Sequence, residues 1–324
     1  MIYLCEVDEA LKYSHLPRIL GSVLLILTSS LVSDSILGQQ LTPDGKTVLL
    51  RVTATDDHSR PITGLKQEQF SVFEKKQQLD IASFDSSDEP AGIVFMLDVS
   101  GSIPAAFKNL AAQLVHQFTE TSNKSNDYLV MAFNERAKVL CGWDCRADDL
   151  KQALEEVVRV MPQMNTAFYD ACDLALTKLE SSKYRKRVIV VFTDDGADNA
   201  SKTSLARLRN ILRESSAALY VIGVINQSDA GSTLGIPGRG ILEELASVSG
   251  GKAFFSLDQK QLRDVVAVVA AELSHEYIIG FNTPHATHDN KWHSIKIKVT
   301  PPKADSRGKF PHVFLRYREG YYDR

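Results

Sequence analysis

The sequence predicts an α/β fold: a doubly wound, mostly parallel sheet flanked by helices, with β segments at both ends of the chain forming a small β-sandwich. Three observations carry this. From about residue 91, short apolar β-favouring runs alternate with helix-length segments, the βαβ pattern of a parallel sheet. One of these runs, Val94-Phe95-Met96-Leu97, shows no polar alternation, which suits a strand buried on both faces. Outside this block the period drops to two, with Val48, Leu50, Val52 and Ala54 alternating against Leu49, Arg51, Thr53 and Thr55.

Taken in order, residues 41–88 form the first β segment, with strands also at Phe70–Phe73 and Ile81–Phe84 and a turn cluster at Asp56–Pro61. The α/β block occupies residues 90–275. Its strands are Ile93–Leu97, Tyr128–Phe133, a short edge piece at Lys138–Leu140, Val188–Phe192, Leu219–Val224 and Ala253–Phe255. Its helices are Ala105–Glu120, Asp148–Val160, Ala167–Glu180, Ser204–Ser215, Ile241–Val248 and Gln259–His275. In the last, Leu262, Val265, Val266, Val269 and Leu273 make one apolar face. Gly231–Gly240 reads as a glycine-rich loop. Residues 276–324 return to β character at Tyr277–Phe281, Trp292–Val299 and Val313–Tyr317, with a polar Pro301–Lys309 loop. They are expected to pair with residues 41–88, since three short strands bury little surface alone.

Composition narrows the function classes. A hydrophobic content of 44% and a charged content of 24% are those of an ordinary globular protein, and a net charge of −3 gives no electrostatic reason for a nucleic-acid partner. Residues 1–38 have the layout of a signal peptide: Lys12 and Arg18, an apolar core Leu20–Leu27, then small residues up to Gly38. The leading region is long and carries Glu6, Asp8 and Glu9, so the true start codon has a downstream alternative. An uncleaved anchor is the rival reading, against which the apolar run is short and Asp34 interrupts it. Export leaves no membrane span in the mature chain and places it in the periplasm, envelope or extracellular space. Cys141 and Cys145 flank Gly142-Trp143-Asp144; a small disulfide loop and two free thiols are both open readings. Cys172 falls mid-helix and reads as core.

The chemistry concentrates at strand ends. Asp98-Val99-Ser100-Gly101-Ser102 follows the first parallel strand, and one carboxylate with two hydroxyls is a hard-oxygen set suited to a divalent cation. A hydroxyl-rich turn capping the next helix is the plain alternative. Thr166 stands where a helix N-cap would serve equally well. Asp194 and Asp195 follow Val188–Phe192 in an acidic turn that solvated carboxylates would also explain.

Together, Leu97-Asp98-Val99-Ser100-Gly101-Ser102, Asn165-Thr166-Ala167-Phe168-Tyr169-Asp170 and Phe192-Thr193-Asp194-Asp195-Gly196 resemble the metal-ion-dependent adhesion site of von Willebrand factor type A domains. The resemblance covers roughly residues 90–275. It implies that Asp98, Ser100, Ser102, Thr166 and Asp194 hold a divalent cation, Mg²⁺ first with Mn²⁺ or Ca²⁺ as alternatives. The cation's remaining position would accept water or a carboxylate from a protein partner. The family has glycine directly after the last aspartate; here Asp195 intervenes and is the alternative ligand. Loops 134–146 and 225–240 would set specificity. Val52–Asp56, Pro61–Leu65, Phe70–Glu74 and Arg316–Tyr322 are similar to a narrower group, the acidobacterial-type exported bacterial proteins related to von Willebrand A.

Binding rather than catalysis is expected. A haloacid dehalogenase-like phosphatase would use Asp98 with a second carboxylate two residues on, and Ser100 occupies that place. No histidine and nucleophile segments complete a protease triad around Asp98. His116, mid-helix, reads as a surface or partly buried side chain. A structural envelope protein whose metal only stabilises the fold is a further alternative.

Overall fold

The described residues open with four short strands: β1 (Thr47–Thr55), β2 (Phe70–Glu74), β3 (Gln77–Leu79) and β4 (Ile81–Asp85). The α/β block follows as β5 (Ala91–Asp98), α1 (Ala105–Thr121), β6 (Asp127–Phe133), β7 (Ala137–Cys141), α2 (Ala147–Arg159) and α3 (Phe168–Glu180). It continues through β8 (Lys186–Thr193), α4 (Leu205–Glu214), β9 (Ala217–Val224), α5 (Ile236–Val248), β10 (Lys252–Ser256) and α6 (Gln259–Ser274). Strands β11 (Tyr277–Asn282), β12 (Trp292–Val299), β13 (Phe314–Tyr317) and β14 (Gly320–Tyr322) close the chain. The computed structural model describes residues 47–160, 165–194, 198–225, 236–256, 258–283, 289, 291–302 and 312–323. The expected signal segment 1–38, Asp195, most of the 225–240 loop and the Lys303–Lys309 stretch lie outside the described residues.

The central sheet runs β10-β9-β8-β5-β6-β7, parallel except for β7. Every residue of β5 is buried, as the absence of alternation requires. Ile93, Phe95 and Leu97 face a core shared with α1, α2 and α6; Val94 and Met96 face one shared with α3, α4 and α5. From β5 the chain winds outward to β6 and β7, then crosses back to β8 on the other side of β5. The carboxyl ends of β5 and β8 therefore flank the switch point of the sheet, where open α/β folds place their sites.

The two chain ends fold together. Sheets of order β13-β1-β11-β4 and β14-β12-β2-β3 each mix strands from before and after the α/β block, and β1 pairs with β11 from Thr47↔Asn282 to Val52↔Tyr277. Between the sheets lie Val48, Leu50, Val52, Phe70, Val72, Tyr277, Ile279, Phe281, Ile295 and Ile297, the alternate positions of their strands. Two expectations are corrected here. Helix α5 begins at Ile236 rather than Ile241, because Pro237 and Gly238 fall in a first turn, where proline is tolerated, instead of in a loop. Strands β3 and β14 were not anticipated; they are three-residue pieces at sheet edges.

The other face of β1 meets the amino-terminal end of the parallel sheet across a polar seam. Arg51 pairs with Glu89 at 2.6 Å and lies 3.6 Å from Glu276, which Lys186 approaches at 3.0 Å. Arg316 on β13 pairs with the fully buried Glu272 of α6 and donates to the Tyr220 hydroxyl at 3.1 Å. Burial opposes the Arg316 charge, and Tyr220 and Glu272 more than restore it, so its pKa lies above the ordinary arginine value. Gly250, after α5, has φ +82° and would place a Cβ only 3.0 Å from the Arg318 amide; glycine lets the chain ends close onto the sheet here.

Within the sandwich a buried histidine sits between two carboxylates. His293 Nδ1 lies 2.8 Å from Glu74 and Nε2 3.0 Å from Asp289, and the ring stacks on Tyr321, whose hydroxyl donates to Glu74 at 3.0 Å. Burial disfavours the imidazolium, but the two carboxylates outweigh it and hold the pKa above the ordinary 6.5. The contribution of this cluster is complete below about pH 6.5 and is lost as pH rises through the higher folded value. His293→Gln is expected to lower stability by about 2 kcal/mol at pH 6, with a smaller deficit at pH 9. Urea unfolding of both proteins at the two pH values checks this; an equal deficit at both would contradict a charged ring.

Candidate metal centre

Asp98 is the last residue of β5 and is buried at 4% exposure. A desolvated carboxylate must be satisfied locally, and two of its donors are the Ser100 amide, 2.9 Å from Oδ1, and the Thr193 hydroxyl, 2.7 Å from Oδ2. Thr193 ends β8, so this bond ties the two strands across the switch point. Ser100 is buried and its hydroxyl lies 3.2 Å from that of Ser102, which is exposed. Asp194, directly after β8, is also buried.

Thr166 arrives from a different loop. The next residue, Ala167, donates its amide to the Asn134 carbonyl at 2.7 Å, just beyond β6, while the Val99 amide donates to Phe133 at 2.9 Å. On the other side the Thr166 amide donates to Asn199 Oδ1 at 2.8 Å, and the Asn199 amide donates back to the Thr166 carbonyl at 3.0 Å. Thr166 is thus held between the loop after β6 and the segment after β8, over the end of β5. The N-cap alternative is not what forms: α3 starts at Phe168, with Ala167 in the capping position. The Thr166 hydroxyl makes no hydrogen bond to another described residue. All five expected ligand positions therefore gather at one end of the sheet, and the donors are oxygens throughout.

Two residues that sequence reasoning missed support this end of the sheet. Thr193 is one. The other is Lys108, buried in α1, whose ammonium reaches the Val99 carbonyl at 3.4 Å and the Val160 carbonyl at 3.5 Å. Burial lowers its pKa and Asp98 partly offsets that. The available signal was a lysine on the apolar stripe of α1, flanked by Phe107 and Ala111.

Cys141 and Cys145 are disulfide-bonded, which settles that open reading, and the loop between them pins Trp143, whose indole donates to the Lys178 carbonyl at 3.2 Å. Cys172 is buried in α3, and burial pushes its thiol well above its ordinary pKa. A further group of metal-ligating types, Asp289, His293 and Asp323, has ligand atoms within 4.8 Å of one another, but both ring nitrogens of His293 already face carboxylates. Among the described residues no helix is long and apolar enough to cross a membrane.

The von Willebrand factor type A domain profile matches residues 92–268, more than half of the chain. The chain belongs to this family. Its type A domain coincides with the β5–α6 block and carries the oxygen cluster. Among solved structures it is similar to proximal thread matrix protein 1 from the mussel byssus, at 19% identity and TM-score 0.47, over 62% of this chain and 51% of that one. A second structure of that protein, described as having a zinc-occupied MIDAS motif, matches at 20% identity and TM-score 0.44, over 63% and 50%. Manganese-loaded TRAP protein of Plasmodium vivax matches at 15% identity and TM-score 0.42, over 72% and 95%. The chain spans about half the length of the mussel byssus protein. No curated protein sequence matches it.

Thr193→Val keeps the shape of the β8 terminus and removes the hydroxyl donor to Asp98. Loss of one hydrogen bond to a buried carboxylate is expected to cost about 2 kcal/mol in denaturant unfolding. An unchanged midpoint would show that the bond contributes nothing net.

Proposed function

We propose that the type A domain holds a divalent cation on Asp98, Ser100, Ser102, Thr166 and Asp194, and captures a carboxylate of a protein partner at the open coordination position. What supports this is that the Asp98–Ser102 turn and Asp194 follow the carboxyl ends of neighbouring strands β5 and β8, that the Thr166 backbone is held between the segments after β6 and β8, and that Ser102 is exposed. Domains of this family are mostly adhesion and interaction modules, which favours binding over turnover. Two carboxylates and three hydroxyls fit a hard cation, Mg²⁺ before Mn²⁺ or Ca²⁺. The residues' part is to fix ligand positions: Thr193 and the Ser100 amide orient Asp98, and Asn199 anchors the Thr166 backbone. A bound cation would supply Lewis acidity toward an incoming carboxylate.

The reading includes export to the periplasm, envelope or extracellular space, which the Cys141–Cys145 disulfide favours. It also includes kinship with the acidobacterial-type exported group, favoured by the sandwich built from both flanks of the domain.

Affinity capture from an envelope fraction tests the model. Wild type with Mg²⁺ is expected to retain a partner that both chelator and Asp98→Ala release, with Asp98→Ala still folded by circular dichroism. Retention unaffected by either treatment would sink the metal-bridged model. An unfolded Asp98→Ala protein with no partner at all would support the purely structural role. Lys108→Met, which removes a buried positive charge from beside Asp98, is expected to tighten cation binding by roughly threefold to tenfold in calorimetry. Weaker binding in that variant would show that Lys108 supports the site rather than opposing the cation.

A further inference from the structure

The seam between the sandwich and the base of the parallel sheet encloses a partly open cavity of about 50 Å³. Its charged lining is Arg51, Lys186, Arg187, Arg318 and Glu276: four cations and one carboxylate. Glu276 Oε2 lies 3.0 Å from the Lys186 ammonium and 3.6 Å from Arg51, close enough for charge pairing though it accepts no hydrogen bond among the described residues, and Arg51 turns its Nη2 outward to Glu89 at 2.6 Å. Arg187 reaches only the Glu180 carbonyl, at 3.5 Å, and burial lowers its pKa more than the Glu180 charge restores it. Arg318 faces no carboxylate among the described residues, and burial draws it down to about 10.

The donors tell the same story atom by atom. Arg51 Nε, Arg187 Nε and Arg318 Nη2 are all buried, and none has a hydrogen-bond acceptor among the described residues. Buried guanidinium N–H groups without acceptors are costly, and so is a buried cation without a counter-charge. Water could satisfy the hydrogen bonds, but it would leave the excess positive charge in place. The cavity's size restricts the choice: a single water needs about 10–15 Å³ on a comparable measure, so there is room for one compact ion and not for a nucleotide or a peptide.

We propose that this cavity binds a compact inorganic anion, chloride or a tetrahedral oxyanion, on the guanidinium groups of Arg51, Arg187 and Arg318. The anion would join the two parts of the fold, since Arg51 and Arg318 come from the chain ends while Arg187 is the second residue of β8. It lies at the amino-terminal end of the strands, independent of the metal centre at their carboxyl ends.

The test is thermal unfolding of the chain in metal-free buffer at constant ionic strength, with gluconate, too bulky for the cavity, exchanged for chloride or sulfate. Constant ionic strength holds general screening fixed. Wild type is expected to show a saturating rise in Tm of about 3 °C at ten times the dissociation constant, absent in Arg318→Met. Saturation by chloride and by sulfate at different concentrations ranks the two ions. No rise, or an unsaturating rise of equal size in wild type and variant, overturns the proposal. Should Arg318→Met not fold, Arg187→Met replaces it with the same expectation. A bromide-soaked crystal gives a second reading, expected to show an anomalous peak within hydrogen-bond reach of Arg318; its absence there also counts against the site.

Discussion

The hydrogen bond from Thr193 to Asp98 is the contact around which the functional end of the molecule is arranged. It joins the last residues of β5 and β8, the two strands that flank the point where the sheet's winding reverses. Parallel pairing brings Leu97 opposite Phe192, so the next residues along each strand must face one another above the sheet. A carboxyl group there is buried at 4% exposure and tolerable only if its oxygens are occupied. Ser100 and Thr193 occupy them from the protein side, which fixes the rotamer of Asp98 before any cation is considered. The site is thus preorganised by the same strands that build the core.

Much of this was legible in the sequence because two periodicities differ. The unbroken apolar run at residues 94–97 required burial on both faces, and the alternation at 48–55 required burial on one, so the sheet and the sandwich could be told apart. Three strand-end motifs in order then pointed to the five oxygen donors. What escaped the reading depended on distant parts of the chain. Thr193 looks like any β-branched residue until β5 is placed beside it. Lys108 lies on the apolar stripe of α1, among Phe107, Leu110 and Ala111, where a lysine gives no sign of the carbonyls it will reach. Strands β3 and β14 are three residues each, with Gln77, Gln78 and Gly320 giving no β signal, and exist only because β2 and β12 offer edges to pair with. Pro237 and Gly238 spoke for a loop, yet a helix's first turn accepts both.

The sandwich answers a different constraint. Strands β1 to β4 cannot bury a face by themselves, and neither can β11 to β14. Joining them in mixed sheets gives each an apolar partner, at the cost of closing the chain across the whole α/β block: Thr47 pairs with Asn282, and Thr55 with Phe314. The closure brings charged residues of β1 and β13 against the sheet's base, and their burial is offset by Glu272, Glu276 and Glu89. Positive charge outnumbers these partners around the seam cavity, and burial draws Arg318 below its ordinary pKa.

Strand polarity separates the two regions. In a parallel sheet all amino ends lie on one side and all carboxyl ends on the other. The seam contacts Lys186, Ala218 and Gly250, at or near the amino ends of β8, β9 and β10, whereas Asp98 and Asp194 sit at the carboxyl ends of β5 and β8. The sandwich can therefore be large and tightly held without covering the oxygen cluster. Because β5 and β8 run the full depth between the two ends, a change in how the sandwich grips Lys186 has a direct mechanical route to Thr193 at the other end of the same eight-residue strand. Rigid buried strands of this kind transmit displacement poorly unless they have two packings to choose between. The absence of polar residues inside β5 argues that its role is to hold the cluster still.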